Sequence, residues 1–353
     1  MSTLSPAGLC IIADDLTGAL DAAAPFAGRG LDVEVALSPE ALPEALAEAL
    51  GRGAPVLAVT TASREIPAHR ARAALARTRA LLPPQARVFK KIDSRMKGHV
   101  EAELSALAPR HLLVAPAIPD FGRLVQDGHV TGFGVDQPIP VAGALGAFAP
   151  LATIPDTASA QDMLAALDAA PADALLVGAK GLAEALAIRL SGQQGARPAR
   201  PVARAALAAI GSTDPITLAQ VQALRAAGGV DWRGAPLGRL PGSARGPLGA
   251  LTLVQAMPGD QPASGEEVAA ALTASLHPGL TMQADLLFLT GGATAEAVLS
   301  AMGLRHMNLV GEVFPGVPLA RRGALSIITK SGGFGGPDLL ADLAALLRGP
   351  SDV

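Results

Sequence analysis

Residues 86–108 read ARVFKKIDSRMKGHVEAELSALA, which is an apolar run, a charged turn and an amphipathic segment in succession. The pattern predicts a buried strand, Arg87–Ile92, followed by a helix, His99–Ala108. In a parallel sheet this junction lies at the carboxyl edge, where ligands usually bind. Cations, a carboxylate and a hydroxyl in one turn suit an anionic, hydroxylated ligand. The alternative interpretation is a solvated basic loop.

The same alternation of short apolar runs and helical patterns fills the rest of the first half, and it predicts βαβ units on a parallel sheet. The other predicted strands are Leu9–Ala13, Leu31–Leu37, Pro55–Thr60, His111–Ala115 and Ala174–Val177. The other predicted helices are a segment from Leu16 to Gly28 or Gly30, Pro39–Leu50, Ala68–Leu82 and Leu182–Leu190. Residues 116–140 are rich in Gly and Pro and predict a long loop, a kind of segment that is often functional.

The second half repeats the pattern over a shorter length. Its predicted strands are Ala205–Ile210, Leu251–Ala256, Leu286–Thr290 and Leu325–Thr329. Four helices are predicted. The first has Asp214 as its N-cap and Pro215 at its first position, and the second covers Ser264–Leu276. The third follows Gly291–Gly292, and the fourth begins at Pro337. Asp231–Arg245 reads as irregular.

These patterns predict an α/β protein of two domains, each built on a mostly parallel sheet with flanking helices, with a ligand cleft between them. Residues 1–190 form the first predicted domain and residues 205–353 the second. The polar, Pro- and Gly-bearing segment Ser191–Arg204 is the predicted linker.

Composition excludes several classes of function. A net charge of −3 gives no bulk field that attracts nucleic acid, and with 3% aromatic residues and no Tyr there are few base-stacking platforms. Cys10 is the sole cysteine, which precludes an intramolecular disulfide and, with no signal-peptide pattern, favours a cytoplasmic location. Four prolines interrupt the long uncharged stretch Gln137–Pro155, so we expect no membrane span. Six scattered histidines without ligand spacing argue against a zinc site.

Charged side chains follow several predicted strands of the first half. Asp14–Asp15 end the first strand, where paired carboxylates can hold Mg²⁺ or take a proton from a hydroxyl, or can simply cap the next helix. Arg64 and Arg123 each follow a strand and could clamp a carboxylate with two hydrogen bonds. The alternative interpretation is that each is a surface charge, as a lone arginine in a loop more often is.

Three turns of the second half share one design, in which a strand is followed by Gly with Ser or Thr and then by a helix. They are Gly211–Thr213, Gly291–Thr294 and Lys330–Gly336, called the three glycine turns below. Glycine allows close approach of the backbone to an anion, and the helix N-terminus offers free N–H groups. The turns predict a nucleotide phosphate site, against the alternative of plain strand–helix connections. No standard P-loop or dinucleotide fingerprint occurs.

Nine stretches in order along the chain resemble the four-carbon acid sugar kinase family. They are IADDLTGA (12–19), SR (63–64), KKIDS (90–94), APAIPDFGR (115–123), DGHV (127–130), GSTDPITLAQ (211–220), TGGATAEAV (290–298), GEVFPGVP (311–318) and TKSGGFGG (329–336). The resemblance implies an N-terminal acid-binding domain, a C-terminal nucleotide-binding domain, and ATP-dependent phosphorylation of the terminal hydroxyl of an acid such as threonate, erythronate or 3-oxo-tetronate. Arg95-Met96-Lys97-Gly98-His99 and Ala293 depart from the usual family pattern.

With the resemblance, the sequence predicts a sugar-acid kinase, a phosphotransferase of carbohydrate metabolism. Asp14, Arg64, Lys91, Asp93, Ser94 and Arg123 are the predicted acid-binding residues, and either Asp93 or Asp15 is the residue that orients or deprotonates the hydroxyl. Ser212, Gly291, Gly292, Ala293, Thr294, Lys330, Gly332 and Gly335 are the predicted ATP-binding residues. Mg²⁺ is expected on the phosphates, without a metal site of protein ligands alone.

Other properties stay open at this point. The alternative functions are a nucleotide-independent enzyme and a metabolite-binding protein on the same scaffold. The expected partners are small molecules, neither nucleic acid nor membrane. The sequence leaves the oligomeric state open, with a homodimer among the expected forms.

Overall fold

The protein is described by a computed structural model that covers residues 5–348, except for the side chain of Ser243. The chain divides into two compact units, Met1–Arg197 and Pro198–Val353, called the N-terminal and C-terminal units. The domain limits predicted at residues 1 and 353 lie outside the described residues. Within residues 5–348, no helix combines the length and apolar character needed to cross a membrane.

The N-terminal unit is built on a seven-stranded parallel sheet in the order β2-β3-β1-β4-β10-β5-β9. The described part of this unit has ten strands, seven in this sheet and three in a separate sheet. They are β1 (Leu9–Ala13), β2 (Val33–Ala36), β3 (Val56–Thr60), β4 (Arg87–Lys91), β5 (Leu112–Ala115), β6 (Arg123–Gln126), β7 (His129–Gly132), β8 (Ile139–Pro140), β9 (Ala152–Thr153) and β10 (Leu175–Gly178). The neighbouring strands β1 and β3 are buried along their whole length, as strands covered on both faces require.

Seven described α-helices accompany this sheet. They are α1 (Leu16–Ala27), α2 (Leu42–Arg52), α3 (Ala68–Leu81), α4 (Val100–Leu107), α5 (Val141–Leu145), α6 (Ala160–Ala169) and α7 (Lys180–Ser191). The cap of α1 explains where the helix begins, because the Asp15 side chain accepts a hydrogen bond from the backbone N–H of Gly18. Asp15 is therefore both the last residue of the turn after β1 and the N-cap of α1.

The prediction of a long loop over residues 116–140 was wrong. This stretch holds β6, β7 and β8, which form a small antiparallel sheet of their own. The strands are short and carry Pro and Gly at their ends, so their alternation is too brief to stand out in the sequence. The sheet gives Arg123, the first residue of β6, a fixed backbone position.

The C-terminal unit contains a seven-stranded mixed sheet in the order β12-β13-β11-β14-β17-β16-β15. Its strands are β11 (Ala206–Ile210), β12 (Asp231–Pro236), β13 (Leu251–Met257), β14 (Leu286–Thr290), β15 (His306–Phe314), β16 (Val317–Arg322) and β17 (Leu325–Lys330). Its described helices are α8 (Pro215–Ala227), α9 (Gly265–Leu276), α10 (Gly292–Ala301) and α11 (Leu339–Arg348). Asp214 caps α8 through a hydrogen bond from the backbone N–H of Ile216, which confirms the predicted start of that helix.

The predicted α/β class and the mostly parallel sheets are confirmed. The irregular segment predicted at Asp231–Arg245 was wrong in its first part, because β12 pairs in parallel with β13 along the edge of the sheet. The antiparallel hairpin of β15 and β16 had no predicted counterpart. Both misses fall on edge or half-exposed strands, whose polar residues hide the apolar run that marks a central strand.

Candidate functional site

The ends of three neighbouring strands meet around one guanidinium group in the N-terminal unit. Arg64, four residues after β3, donates from Nε to Asp14 Oδ2 (2.9 Å) and from Nη2 to Asp14 Oδ1 (2.8 Å). The same side chain donates to both carboxylate oxygens of Asp15, at 2.9 and 3.0 Å. Asp93, after β4, places Oδ1 4.0 Å from Arg64 Nη1. These four residues, called the Arg64 cluster, lie at the carboxyl ends of β3, β1 and β4.

Charge pairing decides the ionisation of the cluster. Burial acts to raise the pKa of Asp14, but the hydrogen bonds from Arg64 and the positive charges of Lys90, Arg64 and Lys91 outweigh it and hold the pKa below its ordinary value. For Arg64, burial acts to lower the pKa, and the hydrogen bonds and charges of the aspartates raise it instead. Asp14 is therefore a carboxylate and Arg64 a cation at neutral pH.

The turn after β4 lies against this cluster because of two glycines. Gly98 has φ of +91°, and a Cβ there would lie 2.8 Å from Asp14 Oδ2. Gly18 in α1 would place a Cβ 3.1 Å from Lys91 Nζ. Lys91 is 5% exposed, and its ammonium donates to the carbonyl of Ile92 at 2.9 Å. A larger side chain at either glycine would have to displace a charged group.

A second ion pair, which sequence reasoning missed, lies beneath the cluster. Lys90 is fully buried and binds Glu103 Oε2 at 2.9 Å, and its Nζ also donates to the carbonyl of Lys91. Glu103 Oε1 accepts a hydrogen bond from Ser63 Oγ at 2.7 Å, and Ser63 precedes Arg64. This network joins α4 to the end of β4 and to the turn after β3. Nothing in the sequence distinguishes Glu103 from the exposed Glu101 two residues earlier.

Lys180 is another buried cation at this sheet edge that sequence reasoning missed. It is the first residue of α7, separated from β10 by Ala179 alone, and is 4% exposed. Its Nζ lies 3.8 Å from Asp21 Oδ1 of α1. With Lys90 and Lys91, it brings the buried lysines of the N-terminal unit to three.

The two predicted candidates for the catalytic carboxylate differ in their surroundings. Asp15 accepts from Gly18 N, Thr17 Oγ1 and two nitrogens of Arg64, so both of its oxygens are engaged. Asp93 Oδ2 accepts from the backbone N–H groups of Arg95 (2.9 Å) and Lys97 (3.4 Å). Among the residues that the structure describes, Asp93 Oδ1 accepts no hydrogen bond.

Ser94 and Arg123, which the sequence predicts as acid-binding residues, are in contact. Arg123 Nη1 donates to Ser94 Oγ at 2.6 Å, while Nε and Nη2 both donate to the carbonyl of Phe133 at 3.0 Å. The other predicted acid-binding residues lie at the carboxyl ends of β1, β3 and β4, and Arg123 reaches Ser94 from β6 of the small antiparallel sheet. The guanidinium of Arg64, however, is occupied by Asp14 and Asp15, so its predicted role as a substrate clamp stays a prediction that this geometry does not favour.

In the C-terminal unit, the three glycine turns follow three strands that are adjacent in the sheet. Ile210 of β11 is level with Thr290 of β14, which is level with Lys330 of β17. Backbone hydrogen bonds link the turns in series, from Gly211 N to the Thr290 carbonyl (3.2 Å) and from Gly291 N to the Lys330 carbonyl (3.1 Å). The sequence could indicate each turn, but only the strand order shows that they form one surface.

Gly211 and Gly332 of these turns are packed too closely for any other residue. A Cβ at Gly211 would lie 1.9 Å from Thr294 Oγ1, and one at Gly332 would lie 2.4 Å from Ser212 Oγ. Gly291 has φ of +93° and caps α10 without a side chain. Such bare backbone beside the N-terminus of α10 suits a polyanion approaching closely.

Lys330 lies inside its turn. Its side chain is fully buried, and Nζ donates to Thr217 Oγ1 and to the carbonyls of Ser331 and Gly332 at 3.0 Å, with Phe334 O at 3.2 Å. Burial lowers its pKa to about 8 and the charge of Asp214 acts in the opposite direction. The structure thus gives Lys330 a role in shaping the glycine turn, and contact with a phosphate stays a prediction.

Within residues 5–348, no group of three or more His, Cys, Asp or Glu side chains is arranged to hold a metal ion. The sole cysteine, Cys10, is buried in β1, and burial raises its pKa to about 12, with Arg79 acting to lower it. A thiol in that environment packs as a small apolar group.

Comparison with known proteins assigns both units. A family model described as a sugar-binding N-terminal domain matches residues 9–141, and one described as a nucleotide-binding C-terminal domain matches residues 243–340. The D-threonate kinase of Bordetella bronchiseptica is 31% identical over 405 aligned positions, which cover 96% of this chain and 97% of that protein. The chain belongs to the four-carbon acid sugar kinase family.

Other members of the family show the same extent of similarity. The D-threonate kinase of Cupriavidus necator is 31% identical over 92% of this chain and 94% of its own length. The D-threonate kinase of Salmonella typhimurium is 28% identical over 95% of this chain and 97% of its own. The predicted family is confirmed, and with it the class of the protein as a sugar-acid kinase.

Solved structures support the fold. A Salmonella typhimurium protein described as a putative tRNA synthase superposes with a TM-score of 0.71 at 18% identity, covering 94% of this chain and 98% of that one. A Haemophilus influenzae protein superposes with a TM-score of 0.68 at 19% identity, covering 96% and 99%. At these identities the likeness concerns the fold alone.

The first prediction concerns the ionisation of Asp14. Replacing Asp14 with Asn should lower the free energy of unfolding at pH 7 by about 1–3 kcal/mol, because it removes a charged acceptor from Arg64. Since the folded-state pKa of Asp14 lies below 3.8, this stabilisation is complete above the unfolded-state pKa and is lost as pH falls through the folded-state pKa. Denaturant unfolding should therefore show the difference between wild type and Asp14→Asn shrinking from pH 7 to about pH 3. Asp120→Asn, at an exposed position, is the control; a pH-independent difference for Asp14→Asn would contradict the charge pairing.

The second prediction concerns Lys330. Lys330→Met keeps the length of the side chain but removes the hydrogen bonds that the buried ammonium donates to the carbonyls of Ser331, Gly332 and Phe334, so it should lower the free energy of unfolding by about 1–3 kcal/mol. Lys97→Met, at an exposed lysine, should change it by less than about 0.5 kcal/mol. Equal unfolding curves for the two variants would show that Lys330 does not hold the turn.

Proposed function

We propose that this protein transfers a phosphoryl group from ATP to the terminal hydroxyl of a four-carbon sugar acid, with D-threonate as the first acid to test. The observation that carries the proposal is the alignment of the three glycine turns on adjacent strands of one unit, while the other unit gathers Asp93, Ser94 and Arg123. The names of the relatives support the choice of acid. A cytoplasmic location and a homodimer, expected from the sequence, stay predictions.

The C-terminal unit supplies the groups that a nucleotide needs. The N–H groups at the start of α10, which no side chain caps, and the bare backbone at Gly291 and Gly332 would bind phosphate oxygens, with the Ser212 hydroxyl beside them. Bound Mg·ATP would supply the phosphoryl group and the cation that neutralises its charge. Because the described side chains form no metal cluster, Mg²⁺ would be held mainly by the phosphates.

The N-terminal unit supplies the groups that act on the acid. Phosphoryl transfer requires the attacking hydroxyl to be positioned and its proton accepted. Asp93 fits this role better than Asp15, because one oxygen of Asp93 is held by two backbone N–H groups while the other has no hydrogen-bond donor among the described residues. Asp15 is held as a helix cap and an ion-pair partner of Arg64.

The third prediction tests this assignment. Asp93→Asn should reduce turnover of D-threonate, measured by coupled ADP release, by about 10²–10⁴-fold, because the amide cannot accept the proton. Its thermal shift with Mg·ATP should match that of wild type, since the nucleotide is bound by the other unit. Asp173→Asn removes an exposed carboxylate next to the amino end of β10 and should leave turnover unchanged.

Three results would overturn the proposal in different ways. Full turnover in Asp93→Asn would remove that residue from the mechanism. Turnover of a phosphorylated acid without nucleotide would favour a nucleotide-independent enzyme. Stabilisation by an acid without turnover of any four-carbon acid, and no thermal shift with millimolar Mg·ATP, would favour a metabolite-binding protein.

A further inference from the structure

The glycine turn after β17 holds its carbonyl groups against a buried cation. The ammonium of Lys330 lies 3.0 Å from the carbonyl oxygens of Ser331 and Gly332 and 3.2 Å from that of Phe334. Lys330 is fully buried, whereas Ser331–Gly335 are partly exposed. These three carbonyl groups therefore point at one positive charge beneath the turn.

The N–H groups of the same peptide units face the other way. The peptide bonds of this turn are trans, so within each peptide unit the N–H points opposite to the carbonyl. The three carbonyls that face the ammonium share their peptide units with the N–H groups of Gly332, Gly333 and Gly335. These N–H groups therefore point away from Lys330, and within residues 5–348 none of them has a hydrogen-bond acceptor. Unpaired backbone N–H groups of this kind bind anions.

Two fully buried side chains of α8 hold the same carbonyls, and with Lys330 they are called the Lys330 cage below. Thr217 Oγ1 accepts from Lys330 Nζ at 3.0 Å and donates to the Gly332 carbonyl at 2.7 Å. Gln220 Nε2 donates to the Phe334 carbonyl at 3.0 Å. Because the hydrogen of the Thr217 hydroxyl goes to a carbonyl, each of the four oxygens that contact the ammonium acts as an acceptor. Only the protonated form of lysine satisfies that arrangement.

The composition of the turn makes this cage necessary. Four of the six residues from 331 to 336 are glycine, and glycine takes positive and negative φ with similar ease. Such a turn can flip its peptide groups at little cost. A flip here would place an N–H, whose hydrogen carries partial positive charge, against the buried ammonium. The cage thus selects the orientation that offers the N–H groups to a ligand before the ligand arrives.

The charge of Lys330 is not balanced by a neighbouring carboxylate. Within residues 5–348, no Asp or Glu side chain lies within ion-pair distance of its ammonium. Burial lowers the pKa of Lys330 to about 8, and the charge of Asp214, at the start of α8, acts from farther away to raise it. A polyanion on the exposed side of the turn would supply the negative charge that the protein does not.

We propose that the Lys330 cage positions the nucleotide without touching it. The cage orients the turn so that the N–H groups of Gly332, Gly333 and Gly335 bind phosphate oxygens, and the buried charge attracts the phosphates through the turn. The inference rests on the proposed function for the identity of the nucleotide. It makes Lys330 a positioning residue in place of the direct phosphate contact expected from the sequence, and it adds two residues of α8 to those on which nucleotide binding depends.

The test is binding of Mg·ATP without acid, measured by isothermal titration calorimetry at pH 7.5. Lys330→Met should weaken binding by about tenfold or more, because the turn loses its buried charge and three hydrogen bonds. Thr217→Val keeps the shape of the side chain and should weaken binding by about three- to tenfold, and Thr217→Ser should recover most of that loss. Thr273→Val is the matched control. It removes a buried hydroxyl without a hydrogen-bond partner among the described residues from α9 of the same unit, and it should change the affinity by less than about twofold.

Two further measurements separate positioning from a loss of stability. In turnover assays, Lys330→Met should raise KM for Mg·ATP by about the same factor as Kd and leave kcat within about fivefold, because binding that is equal in the ground and transition states changes KM alone. At pH 8.5, wild type should take up protons on binding Mg·ATP, seen as heats that vary with the ionisation enthalpy of the buffer, because a polyanion favours the charged form of Lys330. This proton uptake should be absent from Lys330→Met.

The pH dependence of affinity follows from the same linkage. The pKa of Lys330 is about 8 in the free protein, and bound phosphate would raise it. The affinity of wild type for Mg·ATP should therefore be fully present below pH 8 and fall as pH rises through that value. The affinity of Lys330→Met should stay constant over the same range.

Each contrary result has a distinct meaning. Equal Mg·ATP affinity in wild type, Lys330→Met and Thr217→Val overturns the positioning role and leaves the kinase proposal standing. Unchanged affinity in Lys330→Met with a loss of kcat of about a hundredfold or more places the ammonium on the transferring phosphate and also overturns the inference. Affinity that depends on both residues, in a protein that phosphorylates no four-carbon acid, overturns the kinase proposal and leaves the positioning role standing. A wild type that binds no Mg·ATP overturns both.

The folding of each variant is checked by far-ultraviolet circular dichroism and thermal unfolding before titration. If Lys330→Met is unfolded at the assay temperature, the pair Thr217→Val and Thr217→Ser carries the test alone. Equal affinity in that pair then overturns the inference.

Discussion

The four hydrogen bonds from Arg64 to Asp14 and Asp15 are the interaction on which the N-terminal site depends. They join the turn after β3 to the turn after β1, and Gly98 allows the turn after β4 to lie against Asp14. Each of these turns is short and polar and would otherwise be free to move in water. Because one guanidinium satisfies two carboxylates, the charges that gather at this sheet edge are stabilised before any ligand arrives.

Lys330 provides the corresponding constraint in the C-terminal unit by a different means. Its ammonium binds backbone carbonyls of its own turn, and Gln220 binds the carbonyls of Phe334 and Gly336 from α8. The carbonyls of the turn thus point inward to side-chain donors. The N-terminal unit fixes its turns with carboxylates and the C-terminal unit with carbonyl groups.

The sequence predicted the fold where apolar runs are unbroken and failed where they are not. β1 and β14 occur at their predicted bounds because each is a continuous apolar run bounded by a charged or glycine turn. β12 and the β6–β8 sheet were not predicted, because edge and antiparallel strands mix polar with apolar residues. For the site, the sequence could name Arg64, Asp14 and Asp15 but not that they pair with one another, and it gave no sign of Glu103, the partner of Lys90, because such partners are distant along the chain. A sequence does not distinguish an arginine or lysine that is already ion-paired from one that can bind a ligand.

The burial of the lysines has a practical consequence for the chemistry of the surface. All five lysines lie in the described part of the chain, and Lys90, Lys91, Lys180 and Lys330 are between 0% and 5% exposed. Lys97 is the exposed one, and it lies on the turn that carries Asp93. An amine-reactive dye applied to the folded protein would therefore label this turn ahead of the other lysines, which makes Lys97 a native attachment point for a reporter at the candidate acid site.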